Sequence, residues 1–288
     1  MRQKFIQCLS PAGFHRMAYV EWGDPANPRV LVCVHGLTRC GRDFDFLAQA
    51  LEADYRVVCP DIVGRGMSDW LRDPLHYVVP QYAQDMAALL ARLDVEQVDW
   101  LGTSMGGIIG MALAAQPATD QGPIRKLILN DVGPVIAAGA VARINEYLAT
   151  PPDFASPEEA EAYIRMIAEP FGKLTDAQWQ HLTRHVIKSG PAGRFQLRYD
   201  PGIAVSFKSA PASQGEEKDI EFWPIYDAIR CPTLVVRGER SDLLSRDTVA
   251  AMTARGPQAI SVEIPDVGHA PTFMDDAQIA VVKNFLAA

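Results

Sequence analysis

Four short runs rich in β-branched residues recur through the first half of the chain and restrict the fold more than any other feature. The runs are 29–34, 55–59, 97–101 and 126–130. Nearly continuous apolar strands of this kind are typical of a parallel sheet covered on both faces. Between the second and third runs, apolar residues from Tyr82 to Leu93 recur at helical spacing on one stripe. The alternation of strands and helices therefore predicts a doubly wound α/β fold.

The strand–helix rhythm stops in the second half of the chain and then resumes. Segment 134–227 contains few strand signals, but Ser156 and Thr175 each begin a sequence with capping-box spacing. After Arg230 the apolar runs 232–237 and 259–264 return, followed by a final helical pattern. We therefore predict an α/β core formed by residues 1–133 and 228–288, interrupted by a mostly helical insertion over 134–227.

Charge and composition exclude several classes of partner. The net charge is −8, so no basic stripe is available for nucleic acid or an anionic membrane surface. No apolar run reaches 18 residues, so no membrane span is expected. The five cysteines are odd in number and lack C-x-x-C spacing, which argues against disulfides and a zinc ribbon. Since the first residues also lack the apolar stretch of a signal peptide, we expect a cytoplasmic protein. The sequence leaves open whether it is a monomer or a homodimer.

The stretch G-T-S-M-G, residues 102–106, follows the third run and precedes a helical pattern. It fits G-x-S-x-G in the strand–turn–helix context of a nucleophile elbow. Ser104 would then stand on a sharp turn with its hydroxyl clear of the sheet, and Met105 N–H would point towards a developing oxyanion. A glycine-rich turn without chemistry is the alternative, because short motifs also arise by chance.

A second oxyanion donor is expected from the loop after the first run. In proteins with a nucleophile elbow this donor comes from a loop that follows an earlier strand. Here V-H-G-L, residues 34–37, occupies that place, and Leu37 N–H is the candidate donor. We interpret the neighbouring His35 side chain as a packed core histidine.

Two further strand ends supply a candidate base and a candidate acid. His269 follows Gly268 after the last predicted strand and would accept the Ser104 proton. Asp242 follows the strand 232–237 and would orient His269, in the chain order serine, acid, histidine. Asp131, directly after 126–130, is the rival acid. A surface histidine and a helix-capping aspartate are the alternatives without catalysis.

These features together resemble the α/β-hydrolase superfamily over nearly the whole chain. The matching segments are 35–37, 61–68, 102–107, 241–242 and 268–269. The resemblance implies an eight-stranded, mostly parallel sheet, with the insertion 134–227 as a helical cap over Ser104. It is nearest to esterases and enol-lactonase-like hydrolases. The segment D-I-V-G-R-G-M-S, residues 61–68, is expected to shape a loop beside the site and receives no catalytic role.

The identity of the residue at the elbow restricts the class of reaction that the protein can catalyse. Related epoxide hydrolases and haloalkane dehalogenases carry aspartate there, whereas Ser104 favours acyl transfer. The sequence thus predicts a serine hydrolase that cleaves esters of small to medium acyl groups, or lactones, through an acyl-enzyme. An acyltransferase or cofactor-free perhydrolase on the same three residues is one alternative. A ligand-sensing protein on a hydrolase scaffold is another.

Several side chains are candidates for substrate contact. Arg39 could bind a carboxylate, Phe273 could line an acyl pocket, and Asp131 could lie beside it. His181 and His185 are four residues apart on a predicted helix, but no third ligand accompanies them in the sequence. We therefore predict neither a metal nor an organic cofactor, and a small-molecule ester as the partner.

Overall fold

A computed structural model of the chain describes residues 1–118, 122–140, 144, 148, 151–209 and 219–288. Its centre is an eight-stranded sheet. The strands are β1 (Arg2–Ser10), β2 (Gly13–Trp22), β3 (Val30–Val34), β4 (Arg56–Pro60), β5 (Val98–Thr103), β6 (Ile124–Asn130), β12 (Thr233–Gly238) and β13 (Ile260–Ile264). They lie in the order β1-β2-β4-β3-β5-β6-β12-β13. The pairs β1–β2 and β2–β4 are antiparallel and the others parallel, which confirms the predicted mostly parallel sheet.

Helices cover both faces of this sheet. They are α1 (Asp45–Leu51), α2 (Val79–Leu93), α3 (Met105–Ala114), α7 (Trp223–Ala228), α8 (Arg246–Ala254) and α9 (Asp276–Ala287). Alternate residues of β3 enter different apolar clusters: Val32 packs in a cluster with α2 and α3, whereas Leu31 packs in one with α1 and α9. Because successive side chains of a strand point to opposite faces, the two clusters lie on the two sides of the sheet. The doubly wound prediction is therefore correct.

Segment 134–227 contains helices and several very short strands in its described part. The helices are α4 (Pro157–Ile167), α5 (Asp176–Val186) and α6 (Ile203–Ser209). The strands are β7 (Val135–Ile136), β8 (Asp153–Phe154), β9 (Ile187–Ser189), β10 (Phe195–Leu197) and β11 (Ile220–Glu221). Strands β7 and β11 pair with each other and so join the two ends of the segment. Residues 141–143, 145–147, 149–150 and 210–218 of the predicted insertion lie outside the described residues.

Both predicted helix starts in this segment are present. Ser156 Oγ accepts a hydrogen bond from Glu159 N–H at 3.2 Å, at the start of α4. At α5, Thr175 and Gln178 form a reciprocal capping box, with Thr175 N–H donating to Gln178 Oε1 at 2.7 Å. These caps satisfy backbone donors that a helix leaves without partners, so the local sequence specifies where each helix begins.

No helix in the described ranges has both the length and the apolar character that a membrane crossing requires.

Candidate active site

Ser104 lies on the turn between β5 and α3, in a backbone conformation that few non-glycine residues adopt. Its φ is 52° and its ψ is −116°. Two glycines make this turn possible. A Cβ on Gly102 would lie 2.2 Å from Gly106 O, and one on Gly106 would lie 2.1 Å from Val34 O. The close crossing of these three backbone segments therefore requires glycine, and it raises Ser104 at the carboxyl end of β5 as the elbow motif predicts.

His269 is hydrogen-bonded to a carboxylate at the end of β6, the strand that lies next to β5 in the sheet. Asp131, directly after β6, has its Oδ2 at 2.7 Å from His269 Nδ1. The Asp131 carboxylate is fully buried and also accepts hydrogen bonds from Gly238 N–H at 2.8 Å and Ser241 Oγ–H at 2.6 Å. A carboxylate held on Nδ1 keeps that nitrogen protonated and leaves Nε2 free to act as a base.

The prediction that Asp242 is the carboxylate bound to His269 is therefore wrong. Asp242 is exposed on the loop after β12 and lines the cavity described below. The sheet order explains the difference: β6 lies between β5 and β12, so its end is next to the strand that carries Ser104. On the β12 loop it is Ser241, one residue earlier, that turns to Asp131.

The loop after β3 is fixed by a neutral histidine. His35 is fully buried; its Nδ1–H donates to Gly36 O at 2.7 Å and its Nε2 accepts from Ile62 N–H at 2.9 Å. Burial, the largest cause, lowers the pKa of His35 to about 3. The structure thus agrees with a packed core histidine. Leu37, two residues after His35, lines the same cavity as Ser104, where its N–H is the predicted oxyanion donor.

A cavity of about 550 Å³ lies over these strand ends. Gly36, Ser104 and His269 contribute to its wall on the side of the sheet. Segment 134–227 contributes the opposite wall, largely with apolar side chains: Ile144, Tyr163, Ile164, Ile167, Val186 and Leu197. Its volume is in the range of small-molecule sites, and a mostly apolar wall with a few convergent polar groups is typical of them.

The other predicted contacts have different outcomes. Arg39 lines the cavity, but its Nε and Nη2 each donate to Asp43 at 2.7 Å. Phe273 does not line it: its ring is 1% exposed and packs in the apolar cluster with α1 and α9, so that prediction is wrong. Asp131 is likewise buried beneath the cavity, bound to His269. Met105, the first residue of α3, directs its sulfur to Arg65 at 3.6 Å.

Two residues that tie the site together were missed by the sequence analysis. Ser241 donates to Asp131, and Asn130 Nδ2 donates both to Thr103 Oγ1 at 2.9 Å and to Pro271 O at 2.8 Å. Asn130 therefore links the strand before the elbow to the loop after His269. The only sequence signal was a pair of polar residues, Asn130 and Asp131, at the end of an apolar strand.

Two groups of side chains bring three potential metal-ligand atoms near one another within the described residues. The groups are Cys8–His15–Asp85 and Asp45–His181–His185, with candidate ligand atoms within 4.8 Å of one another. In the first, burial raises the pKa of Cys8 to about 12, and Asp85 binds His15 at 2.9 Å. In the second, Arg42 binds the Asp45 carboxylate and His181 Nε2 donates to Arg42 O at 2.9 Å. Several of these polar groups pair with one another, whereas His15 Nδ1 and His185 Nε2 are buried without a hydrogen-bond partner in the described part of the chain. We assign no metal to either group.

Comparison with known proteins places this arrangement in a family. A model of the alpha/beta hydrolase family matches residues 31–282. The solved structure of an alpha/beta hydrolase from Novosphingobium aromaticivorans superposes with a TM-score of 0.84 at 36% identity, over 99% of this chain and 98% of that one. The chain belongs to the alpha/beta hydrolase family.

Curated relatives define the reaction class. The 3-hydroxybutyrate-oligomer hydrolase of Cupriavidus necator is 56% identical over 99% of this chain and 97% of its own length. The esterase YbfF of Escherichia coli is 28% identical, over 90% of this chain and 94% of its own. This chain is a carboxylic ester hydrolase.

Proposed function

We propose that the chain hydrolyses short oligoesters of 3-hydroxybutyrate or closely related 3-hydroxy acids, with Ser104 as nucleophile, His269 as base and Asp131 as the orienting acid. The observation that carries the mechanism is the 2.7 Å hydrogen bond between buried Asp131 and His269, beside a cavity that Ser104 also lines. The observation that favours this substrate is the extent of the match to the oligomer hydrolase.

The proposed reaction has two stages, acylation of Ser104 and hydrolysis of the acyl-enzyme. Ser104 Oγ attacks the ester carbonyl while His269 Nε2 takes its proton, and Asp131 stabilises the resulting imidazolium. The N–H groups of Leu37 and Met105 would hold the oxyanion of the tetrahedral intermediate. The C–O bond then breaks, and His269 returns the proton to the leaving 3-hydroxyl group. Water, deprotonated by His269, attacks the acyl-enzyme and releases the free acid.

The cavity suits such a substrate. A 3-hydroxybutyrate oligomer has an apolar methyl on each unit and a single terminal carboxylate. The largely apolar wall from segment 134–227 would pack against the methyl groups, and we propose that this segment acts as the predicted helical cap. Arg39 lines the cavity and would meet the terminal carboxylate, with two of its N–H groups already held by Asp43.

The test is steady-state hydrolysis of the 3-hydroxybutyrate dimer and trimer and of p-nitrophenyl butyrate, by wild type and Ser104→Ala. We expect Ser104→Ala to lower kcat about 10³-fold or more on every substrate. Ser261→Ala removes an exposed hydroxyl on β13 and serves as the matched control, with unchanged kcat. Mass spectrometry of the quenched wild type should find the acyl group on Ser104.

Each failure identifies a different error. Turnover of the p-nitrophenyl ester without turnover of the oligomers would overturn the substrate and leave the mechanism. Full activity of Ser104→Ala would overturn the nucleophile. Acyl products formed with an added alcohol or peroxide, at the expense of free acid, would favour the acyltransferase or perhydrolase alternative.

A further inference from the structure

Arg65 lies in the segment 61–68, to which the sequence analysis gave no catalytic role, and its side chain is fully buried. Every donor group of its guanidinium points to a nearby acceptor. Nε donates to Leu37 O at 2.8 Å, Nη1 donates to Val63 O at 2.8 Å and to Tyr82 Oη at 3.0 Å, and Nη2 contacts Met105 Sδ at 3.6 Å. The Tyr82 ring centroid is 5.0 Å from Arg65 Cζ, a favourable cation–π distance.

Within the described ranges, no carboxylate is placed against the charge of Arg65. Among the described residues, no aspartate or glutamate forms an ion pair with this guanidinium, in contrast to buried Arg56, which Glu21 binds at 2.8 Å. Taking a cation out of water without a counter-charge is costly, and hydrogen bonds to neutral oxygens offset only part of that cost. Groups placed against stability in this way are expected at functional sites.

The two partners of Arg65 that matter are the proposed oxyanion donors. In a planar trans peptide the C=O and N–H groups point in opposite directions, so fixing a carbonyl fixes the amide beyond it. Gly36 O is held by His35 Nδ1–H at 2.7 Å, which orients Leu37 N–H. Arg65 holds Leu37 O, which fixes the next peptide plane. Leu37 is thus held on both sides, and the same guanidinium touches Met105.

Two residues of segment 134–227 pair with the backbone of the loop that carries Arg65. Arg65 forms an antiparallel bridge with Tyr199, and Asp200 N–H donates to Gly64 O at 2.8 Å. The guanidinium of Arg65 is shielded from water on all sides. The effective dielectric constant is low where water is absent, so the attraction between this guanidinium and a nearby negative charge is strong.

We propose that Arg65 is a positioning residue of the oxyanion hole: it holds Leu37 and Met105 in place and sets a buried positive charge behind the negative charge that develops on the substrate. The inference rests on the oxyanion hole and nucleophile of the proposed function, and not on the identity of the ester.

The test compares Arg65→Met and Arg65→Lys on p-nitrophenyl butyrate. Loss of one direct oxyanion donor typically costs 10²–10³ in kcat. Arg65 acts through such donors, so we expect Arg65→Met to lower kcat roughly 30-fold with KM changed less than about threefold. A boronic acid that adds to the serine should lose affinity by a similar factor, because its adduct places an oxygen in the same site. Arg65→Lys keeps the charge and should recover part of both losses.

The matched control is Arg56→Met, which removes a buried arginine bound to Glu21 and Leu93 O, away from the cavity. It should lower thermal stability while the folded enzyme keeps its kcat and boronate affinity. The proposal is overturned if folded Arg65→Met keeps kcat within threefold, or if the loss falls on KM alone. If Arg65→Met does not fold, Arg65→Lys decides: full kcat and full boronate affinity would overturn the proposal.

Failure of the proposed function gives a different pattern. If Ser104→Ala keeps activity and binds the boronic acid as wild type does, the nucleophile is wrong whatever Arg65 does. If Ser104→Ala is inactive and the Arg65 variants behave as wild type, only the role of Arg65 fails.

Discussion

The residues beneath the candidate site and those around its opening are held very differently. The buried support, His35, Arg65 and Asp131, is fully shielded from solvent. The cavity rim, Met166, Glu169 and Asp242, is exposed while lining the same cavity. Each support residue makes at least two hydrogen bonds to backbone groups or to His269.

This difference shows where the requirement for accurate geometry lies. A buried polar group that loses its partner costs far more than an exposed one, so substitutions in the buried support should be felt strongly. At the rim, water replaces whatever a side chain loses. We therefore expect the chemistry to depend on the buried support and the choice among ester chain lengths to depend on the rim.

The largest effect on kcat is expected when each of the two candidate acids, Asp131 and Asp242, is replaced in turn by asparagine. Asp131→Asn keeps the size of the side chain but can no longer stabilise the imidazolium of His269, so kcat should fall about 10³–10⁴-fold. The matched variant Asp242→Asn at the rim should keep kcat within about threefold. Steady-state kinetics of both proteins at pH 8 checks this. The reverse result would return the acid to Asp242 and break the comparison.

The pH dependence of the free energy of unfolding tests the contribution of His35, one residue of the buried support. Its pKa of about 3 in the fold lies below the usual value of about 6.5, so the unfolded chain binds the proton first as pH falls. The stability from neutral His35 is present above pH 6.5 and is lost towards pH 3. One such proton changes the free energy of unfolding by up to about 1.4 kcal/mol per pH unit.

Urea unfolding between pH 7 and 4.5 tests this expectation in wild type and His35→Asn. The variant removes the titrating ring, so its stability should fall less steeply with acid by up to that slope. Asp61, whose pKa burial raises to about 6, acts with the opposite sign in both proteins and cancels in the difference. Equal slopes would show that His35 does not carry the acid sensitivity.

The smallest effect is expected at the rim. Met166 is 67% exposed and lines the cavity, so Met166→Ala removes apolar contact only for a substrate long enough to reach it. We expect KM to rise about two- to threefold for the 3-hydroxybutyrate trimer, with no change for p-nitrophenyl acetate and no change in kcat. A large fall in kcat on the short ester would show that the rim also positions the chemistry.

The sequence predicted correctly those structural elements that depend on interactions between residues close together in the chain. The apolar runs became sheet strands, the capping boxes at Ser156 and Thr175 begin helices, and the glycines around Ser104 allow the tight elbow. These features depend on interactions within a few residues, which a single sequence displays directly.

Short-range sequence patterns could not identify the carboxylate that binds His269. Asp131 and Asp242 both follow a strand of the core, and both fit the chain order serine, acid, histidine, so chain order could not separate them. Phe273 was misplaced for a similar reason, since His269, four residues earlier, faces the cavity while Phe273 packs in the apolar cluster with α1 and α9. The direction of a loop side chain depends on partners that are distant in sequence.

By itself, then, the sequence determined the α/β alternation, the sharp turn at Ser104 between a strand and a helix, and the strand ends that meet at the cavity. Only the tertiary structure decided which carboxylate reaches His269, and that Arg65 lies behind the loop of Leu37. The physical reason is the order of strands in the sheet. It places the end of β6 between β5 and β12, so that Gly238 and Ser241 from β12 and its loop hold Asp131 against the histidine.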